Sequence, residues 1–251
     1  MRGSFLIGLV APFTIAAAAA QTPAFDRPGI AFSTTTIPAG SLAWEQGLPD
    51  VEYDSESGER TTLYSAGTNV RIGLLDAVEL QLAAALFNHL DSEADGHSDA
   101  DNGPGDASLA VKVALPSSRP DFSWAVLASA SFPTGDDPFT ADEHAYGLGT
   151  TLGFDLNDTV STAFYVNAAH AGDDTVWTVS PSLGFGLSDR LGVYVEAGAS
   201  FGDGEEDAVV AGGGLTWMLT PIVQFDISAN FGLNSDAPDV AGGIGLSVFV
   251  E

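Results

Sequence analysis

The stretch Leu191–Phe201 reads LGVYVEAGASF and places an apolar side chain at every second position. The same period recurs at 78–86 and at 223–231. Alternation of this kind is the period of a β-strand with one face in an apolar medium. Because the strands of a soluble β-sandwich also alternate, the period predicts strands without deciding what surrounds them.

Eleven further segments of similar character follow one another along the chain, and their connectors alternate in length. The predicted strands lie near 41–51, 61–73, 77–88, 105–115, 121–133, 145–156, 159–170, 174–187, 190–202, 207–219, 222–233 and 239–250. Connectors after the even-numbered strands are compact, whereas most of the others are longer and acidic, the largest being 89–104. This alternation is typical of outer-membrane barrels, which have short periplasmic turns and longer outer loops. The sequence therefore predicts an all-β fold: a transmembrane antiparallel up-and-down β-barrel of about 12 strands over residues 41–251.

The first forty residues differ from the rest. Residues 1–20 carry a basic start at Arg2, an apolar stretch and an Ala-rich end, which predicts a secretory signal peptide. Residues 21–40 are then an N-terminal periplasmic segment ahead of the barrel. No later run reaches the roughly 18 apolar residues of a membrane helix, and there is no cysteine. We expect the protein in the bacterial cell outer membrane.

The chain is strongly acidic, with 34 Asp and Glu residues against 7 Lys and Arg and a formal net charge of −27. A surface without a basic footprint argues against nucleic acid as a partner. Many of the acidic residues, such as Asp91, Asp99 and Asp136, fall in predicted outer loops. If they surround a pore mouth, they favour cations or neutral solutes over anions; alternatively, they only keep the loops soluble.

Large aromatic residues recur at a spacing that suits a membrane. Eight residues span about 26 Å of strand, or roughly 20 Å of depth in a tilted strand, close to the apolar band between the two aromatic girdles of these barrels. The interpretation places outer-membrane lipid and lipopolysaccharide against this face. The predicted periplasmic girdle is Trp124, Phe154, Phe185 and Trp217, and the predicted outer girdle is Phe132, Tyr146, Trp177 and Phe201.

Several stretches resemble a family of outer-membrane transporters named for their association with phenol degradation. These are DRPG at 26–29, IPAG at 37–40, WEQG at 44–47, GTNVRIGLLDAVELQL at 67–82, GPGD at 103–106 with Lys112 beyond it, and ASASFPTG at 128–135. The resemblance covers mainly residues 26–135 and implies a barrel that acts as a channel or transporter, without naming a substrate. The chain departs from the family at Gln81, where a basic residue is common, and at its non-aromatic last residue.

The predicted inward face is mostly small, and it includes Gly212, Gly214, Gly243 and Gly245. Two interpretations stay open: these glycines leave part of a solvated lumen bare, or they only permit curvature and close packing.

A few charged residues share the inward parity. Arg71 and Glu79 are equidistant from the turn at 74–76, so the sequence predicts that they face each other directly, with Lys112 at a similar height. Glu196 and Asp226 are expected on the opposite wall. These five residues are predicted to form a constriction that orients a polar solute, or an ion-pair network that braces the barrel, or both.

No catalytic, metal or cofactor site is predicted. The four histidines fall in loops or at strand ends, and no His-x-Ser pair of an outer-membrane phospholipase occurs. Acidic residues near His170 match the active site of an outer-membrane protease in residue type only. The stretch 91–96 resembles the start of a calcium loop, but Asn102 stands where such a loop needs a glutamate.

The leading hypothesis is an outer-membrane channel or transporter for passive passage of small molecules, aromatic or weakly polar ones among them. The alternative is a non-conducting structural barrel, plugged by side chains and by residues 21–40. Besides lipid, the expected partners are the barrel-assembly machinery and a small-molecule solute.

Overall fold

The computed structural model describes residues 24–141, 143–202 and 205–251, and the predicted signal peptide lies outside them. Every regular element among these residues is a β-strand. No helix in this part of the chain is long and apolar enough to span a membrane. The strands are β1 (Leu42–Glu56), β2 (Glu59–Leu75), β3 (Val78–Ala94), β4 (His97–Gly103), β5 (Ala107–Leu115), β6 (Phe122–Phe132), β7 (Ala145–Asn157), β8 (Val160–Ala171), β9 (Asp174–Gly186), β10 (Leu191–Gly202), β11 (Glu205–Thr220), β12 (Val223–Gly232) and β13 (Val240–Val250).

Twelve of these strands close into an antiparallel barrel. Each pairs with its neighbour along the chain, β3 pairs with β5, and β1 pairs with β13, which joins the two ends of the sheet. The thirteenth strand, β4, pairs only with the outer part of β3 and stands outside the ring. Closure leaves no unpaired edge in the ring, which is what a sheet in an apolar medium requires. The predicted fold class is confirmed.

The two ends of the barrel differ, as the sequence indicates. One end carries the compact turns around Asp76, Asn157 and Thr220; we call it the short-turn end, which the sequence predicts to be periplasmic. At the opposite end, β1–β2 and β3–β4 continue as hairpins that close with two-residue turns at Ser57-Gly58 and Asp95-Gly96. The prediction of a loop at 89–104 is therefore wrong, because most of these residues belong to the β3–β4 hairpin. Its residues are polar on both faces, so no apolar period reveals the strands.

The wall has an apolar outer face and a polar inner one. Val195 and Ile227 point outward with 52% and 46% of their surface exposed, whereas their neighbours Glu196 and Asp226 are buried. The eight predicted girdle aromatics all lie on the outward parity, and Trp177 is directly opposite Phe201 in the register of β9 and β10. Their depth in a bilayer stays a prediction.

Residues 24–40, here the lumen segment, run inside the barrel before β1 begins. At the short-turn end, its Phe25 and Ile37 pack with Ala43 of β1 and Phe249 of β13 in a small apolar cluster. The backbone then joins the wall, since the Gly40 amide donates to the Gly73 carbonyl at 2.8 Å. Burying Phe25 and Ile37 removes apolar surface from water and stabilises the segment in this place.

Candidate functional site in the barrel lumen

Four of the most deeply buried charges among the described residues meet on the wall formed by β1, β2, β3 and β5. The guanidinium of Arg71 donates from Nε to Glu79 Oε1 at 2.8 Å, from Nη2 to Glu79 Oε2 at 3.0 Å, and from Nη1 to Glu45 Oε1 at 2.9 Å. Lys112 Nζ lies 3.0 Å from Glu79 Oε1. Arg71, Glu79 and Lys112 are each fully buried. The predicted grouping of these three residues is present in the structure.

The register that brings them together differs from the predicted one. Arg71 is directly opposite Gln81, and Glu79 is opposite Gly73, so the predicted direct pairing of Arg71 with Glu79 is wrong. The strands continue to Leu75 and Val78, which shortens the turn, and a bulge at Leu74 precedes the turn in β2. A displacement of two residues keeps both side chains on the same face, so the long arginine still reaches Glu79 diagonally.

The lumen segment completes this network from inside. Asp26 accepts hydrogen bonds from Lys112 Nζ at 2.8 Å and from Gln81 Nε2 at 2.7 Å, while its own amide donates to Glu45 Oε1 at 3.0 Å. The amide of Ile37 donates to Glu79 Oε2 at 2.8 Å. The buried charges therefore hold both the wall and the segment that crosses it. We call Asp26, Glu45, Arg71, Glu79 and Lys112 the charge cluster.

Beside the charge cluster, the segment is also held by carboxylates of β1 and β12. Arg27 donates to Asp50 from both terminal nitrogens, at 3.0 and 2.8 Å, and its Nη2 lies 3.3 Å from Asp226 Oδ1. A side chain at Gly245 would collide with this guanidinium. Likewise, a side chain at Gly214 would meet the ring of Tyr194 at 2.7 Å. The space above these two glycines is filled, so here the close-packing interpretation holds rather than that of a bare wall.

Glu196 differs from the other buried carboxylates in its partners. Its Oε2 accepts the amide of Ile30 at 3.0 Å, and its Oε1 accepts Asn230 Nδ2 at 3.1 Å. Glu196 and Asp226 thus both face the lumen segment. Of the two, only Asp226 has a cationic partner among the described residues.

The lumen segment lies between two cavities. The inner cavity, of about 350 Å³, lies toward the short-turn end; the outer cavity, of about 300 Å³, lies toward the opposite end. Arg27 lines both of them. Wall residues of the inner cavity include Ser123, Thr151, Asp155, Ser161, Tyr194, Glu196 and Thr216, and those of the outer cavity include Glu45, Thr68, Asn69, Asp106, Ser108 and Ser131.

Asp106 shapes the outer mouth by holding the loop between β6 and β7. Its Oδ1 accepts the amides of Thr134 and Gly135, each at 2.9 Å, and its Oδ2 accepts the amide of Ala141 at 2.9 Å. Desolvation acts to raise the pKa of Asp106, but these hydrogen bonds outweigh it and lower the pKa below its ordinary value. The GPGD and PTG stretches noted in the sequence therefore meet in space, and their link is this carboxylate.

His170 and the stretch 91–96, which the sequence offered for other chemistry, lie at the end of the barrel opposite the short turns. His170 Nδ1 faces Thr175 Oγ1 at 3.0 Å. The stretch resembling a calcium loop forms part of the β3–β4 hairpin, and the described residues contain no group of three or more His, Asp or Glu placed to hold a metal.

Four charged residues of the site were missed by the sequence reasoning: Asp26, Arg27, Glu45 and Asp50. A signal was present for three of them, since Asp26 and Arg27 open the DRPG stretch and Glu45 lies within WEQG. Glu45 also has the inward parity of its strand. A register shift between Gly47 and Asp50 interrupts the alternation of the strand, so the sequence does not indicate which face of the wall carries Asp50.

Comparison with known proteins gives one family and several similar folds. Residues 25–249 match the model of the family described as "Putative MetA-pathway of phenol degradation". No curated protein sequence matches this chain. The match includes the lumen segment as well as the barrel.

Three solved structures illustrate the likeness of fold. An outer membrane channel from Pseudomonas putida F1 has a TM-score of 0.62 at 12% identity, covering 87% of this chain and 97% of that one. The KdgM porin has a TM-score of 0.56 at 7% identity, with 83% and 98% covered. The NanC porin has a TM-score of 0.53 at 11% identity, with 84% and 99% covered. At these identities the likeness concerns the fold.

Proposed function

The chain belongs to the family described as "Putative MetA-pathway of phenol degradation", and on that premise we propose that it is an outer-membrane channel for passive passage of small neutral or cationic molecules. The barrel sits in the lipid of the bacterial outer membrane, with lipopolysaccharide around its outer half. It reaches that membrane through the barrel-assembly machinery. The resemblance in fold to porins supports this proposal.

The observation that carries the proposal is the pair of cavities separated by the lumen segment. Cavities of about 350 and 300 Å³ accommodate a solute of roughly one ring. Arg27 and its partners Asp50 and Asp226 stand at the partition between them. A solute passes from one cavity to the other only if this part of the segment shifts or leaves a narrow gap.

The charge around the partition sets the preference for solutes. Six acidic side chains face three basic ones there, a net charge of −3. The acidic residues are Asp26, Glu45, Asp50, Glu79, Glu196 and Asp226, and the basic ones are Arg27, Arg71 and Lys112. A narrow passage with one sign of charge and low-dielectric walls attracts counter-ions and repels co-ions.

The family description associates its members with phenol degradation, which suits a small aromatic solute that is neutral at physiological pH. The hydroxyl-rich inner cavity offers such a solute hydrogen-bonding partners. Passive diffusion is the proposed mechanism, because the lumen segment carries no feature that couples it to an energy source.

A second candidate function is a non-conducting structural barrel, and the firm attachment of the lumen segment favours it. The segment is held by ion pairs with β1, β5 and β12 and by the apolar cluster at the short-turn end.

Conductance of the purified chain in a planar bilayer decides between the two functions. For a channel we expect discrete openings, with a reversal potential under a salt gradient that indicates cations. Anion selectivity at low salt overturns the proposed preference. A complete lack of conductance, also in a variant without residues 24–40, overturns the channel.

A further inference from the structure

We infer that the inner cavity is a binding site for a small organic cation, with Glu196 as its counter-ion. The inference deepens the proposed function, on which its meaning for transport rests. Binding itself is a separate property and can be measured without conduction.

The unusual feature of Glu196 is that its buried carboxylate has only neutral donors. It is 6% exposed, and its two hydrogen bonds come from the backbone amide of Ile30 and the side-chain amide of Asn230. In the described part of the chain, no lysine, arginine or histidine nitrogen lies within 4.0 Å of it. Burial of a carboxylate without a cation is costly, so a ligand that supplies the positive charge gains free energy there.

Among the described residues that line the cavity, the one cationic side chain is already engaged. Arg27 lines the cavity, but its terminal nitrogens point to Asp50 and Asp226. The cavity wall also includes the carboxylate of Asp155 near the short-turn end. The inner cavity is therefore negative overall.

Two hydroxyl groups on the wall of the inner cavity lack hydrogen-bonding partners among the described residues. Thr151, 2% exposed, lines the inner cavity, and neither its Oγ1 nor the Oη of Tyr194 on the neighbouring part of the wall has a hydrogen-bonding partner among the described residues. Hydroxyl oxygens accept hydrogen bonds from an ammonium group. Together with the apolar surface of Phe32 in the lumen segment, whose ring already lies 5.7 Å from Lys112 Nζ, they suit a ligand with an ammonium head and a short apolar or aromatic body.

The size of the cavity narrows the ligand class further. A volume of about 350 Å³ is at the lower end of small-molecule sites, which favours a single ring or a short chain. Benzylammonium has the required head and body. Benzyl alcohol is its neutral counterpart, and benzoate its anionic one.

The test is equilibrium binding to the detergent-solubilised full chain by calorimetry. We expect benzylammonium to bind at least tenfold more tightly than benzyl alcohol, and benzoate not to bind measurably. Glu196→Gln keeps an acceptor for the Ile30 amide but removes the charge, and it should abolish the preference for benzylammonium. The control Glu52→Gln removes the same charge from an exposed position on β1 and should leave the preference unchanged.

A second variant covers the case in which Glu196→Gln does not fold. Thr151→Val keeps the shape of the side chain, and we expect it to weaken benzylammonium binding about fivefold through the loss of one hydrogen bond. Equal affinity of the wild-type chain for benzylammonium and benzyl alcohol overturns the site, as does a preference that survives in Glu196→Gln. If benzylammonium binds but the chain does not conduct, the channel proposal alone is overturned. If the chain conducts but does not prefer benzylammonium over benzyl alcohol, the Glu196 site alone is overturned.

Discussion

Replacing Arg71 by methionine tests whether the charge cluster braces the barrel. Arg71 is fully buried and donates two hydrogen bonds to Glu79, one to Glu45 and one to the carbonyl of Ala24. The charge cluster has three acidic and two basic members, so the substitution changes its net charge from −1 to −2. Glu79 keeps Lys112, but Glu45 loses its cation.

The expected loss of stability is about 3–5 kcal/mol, because removing one partner leaves a buried charge uncompensated. The matched control is Arg60→Met in the β1–β2 hairpin. Arg60 pairs with Glu93 at 3.3 Å, and both side chains are more than half exposed, so its loss should cost at most about 1 kcal/mol. The double variant Arg71→Met/Glu79→Met should recover part of the loss, since it removes both charges of the tightest pair.

The assay is reversible urea unfolding in lipid vesicles. The free energies of unfolding are compared between variants whose free energy falls with urea concentration at the same slope. Conductance of the same variant shows whether the lumen segment, which Arg71 holds through Ala24 and Glu45, has loosened. The reasoning is refuted if Arg71→Met costs no more than Arg60→Met.

Four further substitutions test the wall, the partition and the outer mouth. Val195→Arg on the outward face should cost about 2–4 kcal/mol near the bilayer midplane, whereas Ser228→Arg on the inward face should cost far less and change conductance instead. Gly245→Ala should displace the Arg27 guanidinium, at a cost of about 1–3 kcal/mol for overpacking, and raise conductance. The pKa of Asp106 is lowered in the folded protein, so its ionised carboxylate stabilises the fold. This stabilisation is complete above the ordinary aspartate pKa of about 3.9 and is lost as the pH falls through the lower pKa of the folded state. Asp106→Asn should therefore speed hydrogen exchange in the β6–β7 loop at neutral pH, an effect that the wild-type loop shows only in strong acid.

Each of these experiments has an internal comparison. Gly186→Ala controls for the glycine substitution, since a side chain there meets only the Thr159 carbonyl at 3.8 Å. Equal conductance of the Gly245 and Gly186 variants contradicts the role given to Arg27. Equal unfolding free energies for the two arginine insertions contradict the assigned faces of the wall. Unchanged loop exchange in Asp106→Asn contradicts the anchoring role of that carboxylate.

Much of the lumen could be predicted because strand parity is a local property. Alternation alone indicates the inward face for each of the five charged candidates, from Arg71 to Asp226, since successive side chains point to opposite sides of a strand, and all five are buried in the structure. The exact partners could not be predicted in this way. The pairing of Arg71 depends on where the turn closes and on one bulge, and the alternation of apolar residues predicts neither of them.

The sequence by itself determined the closed barrel, its inside and outside, and the difference between its two ends, because these follow from the period of side chains and the length of connectors. Only the tertiary structure decided what fills the lumen. The lumen segment has no regular secondary structure, so nothing local reports its path. Its position comes from long-range contacts: Asp26 with Lys112, Arg27 with Asp226, and Ile30 with Glu196. These contacts exist only after the barrel has closed, because they join residues far apart in the chain.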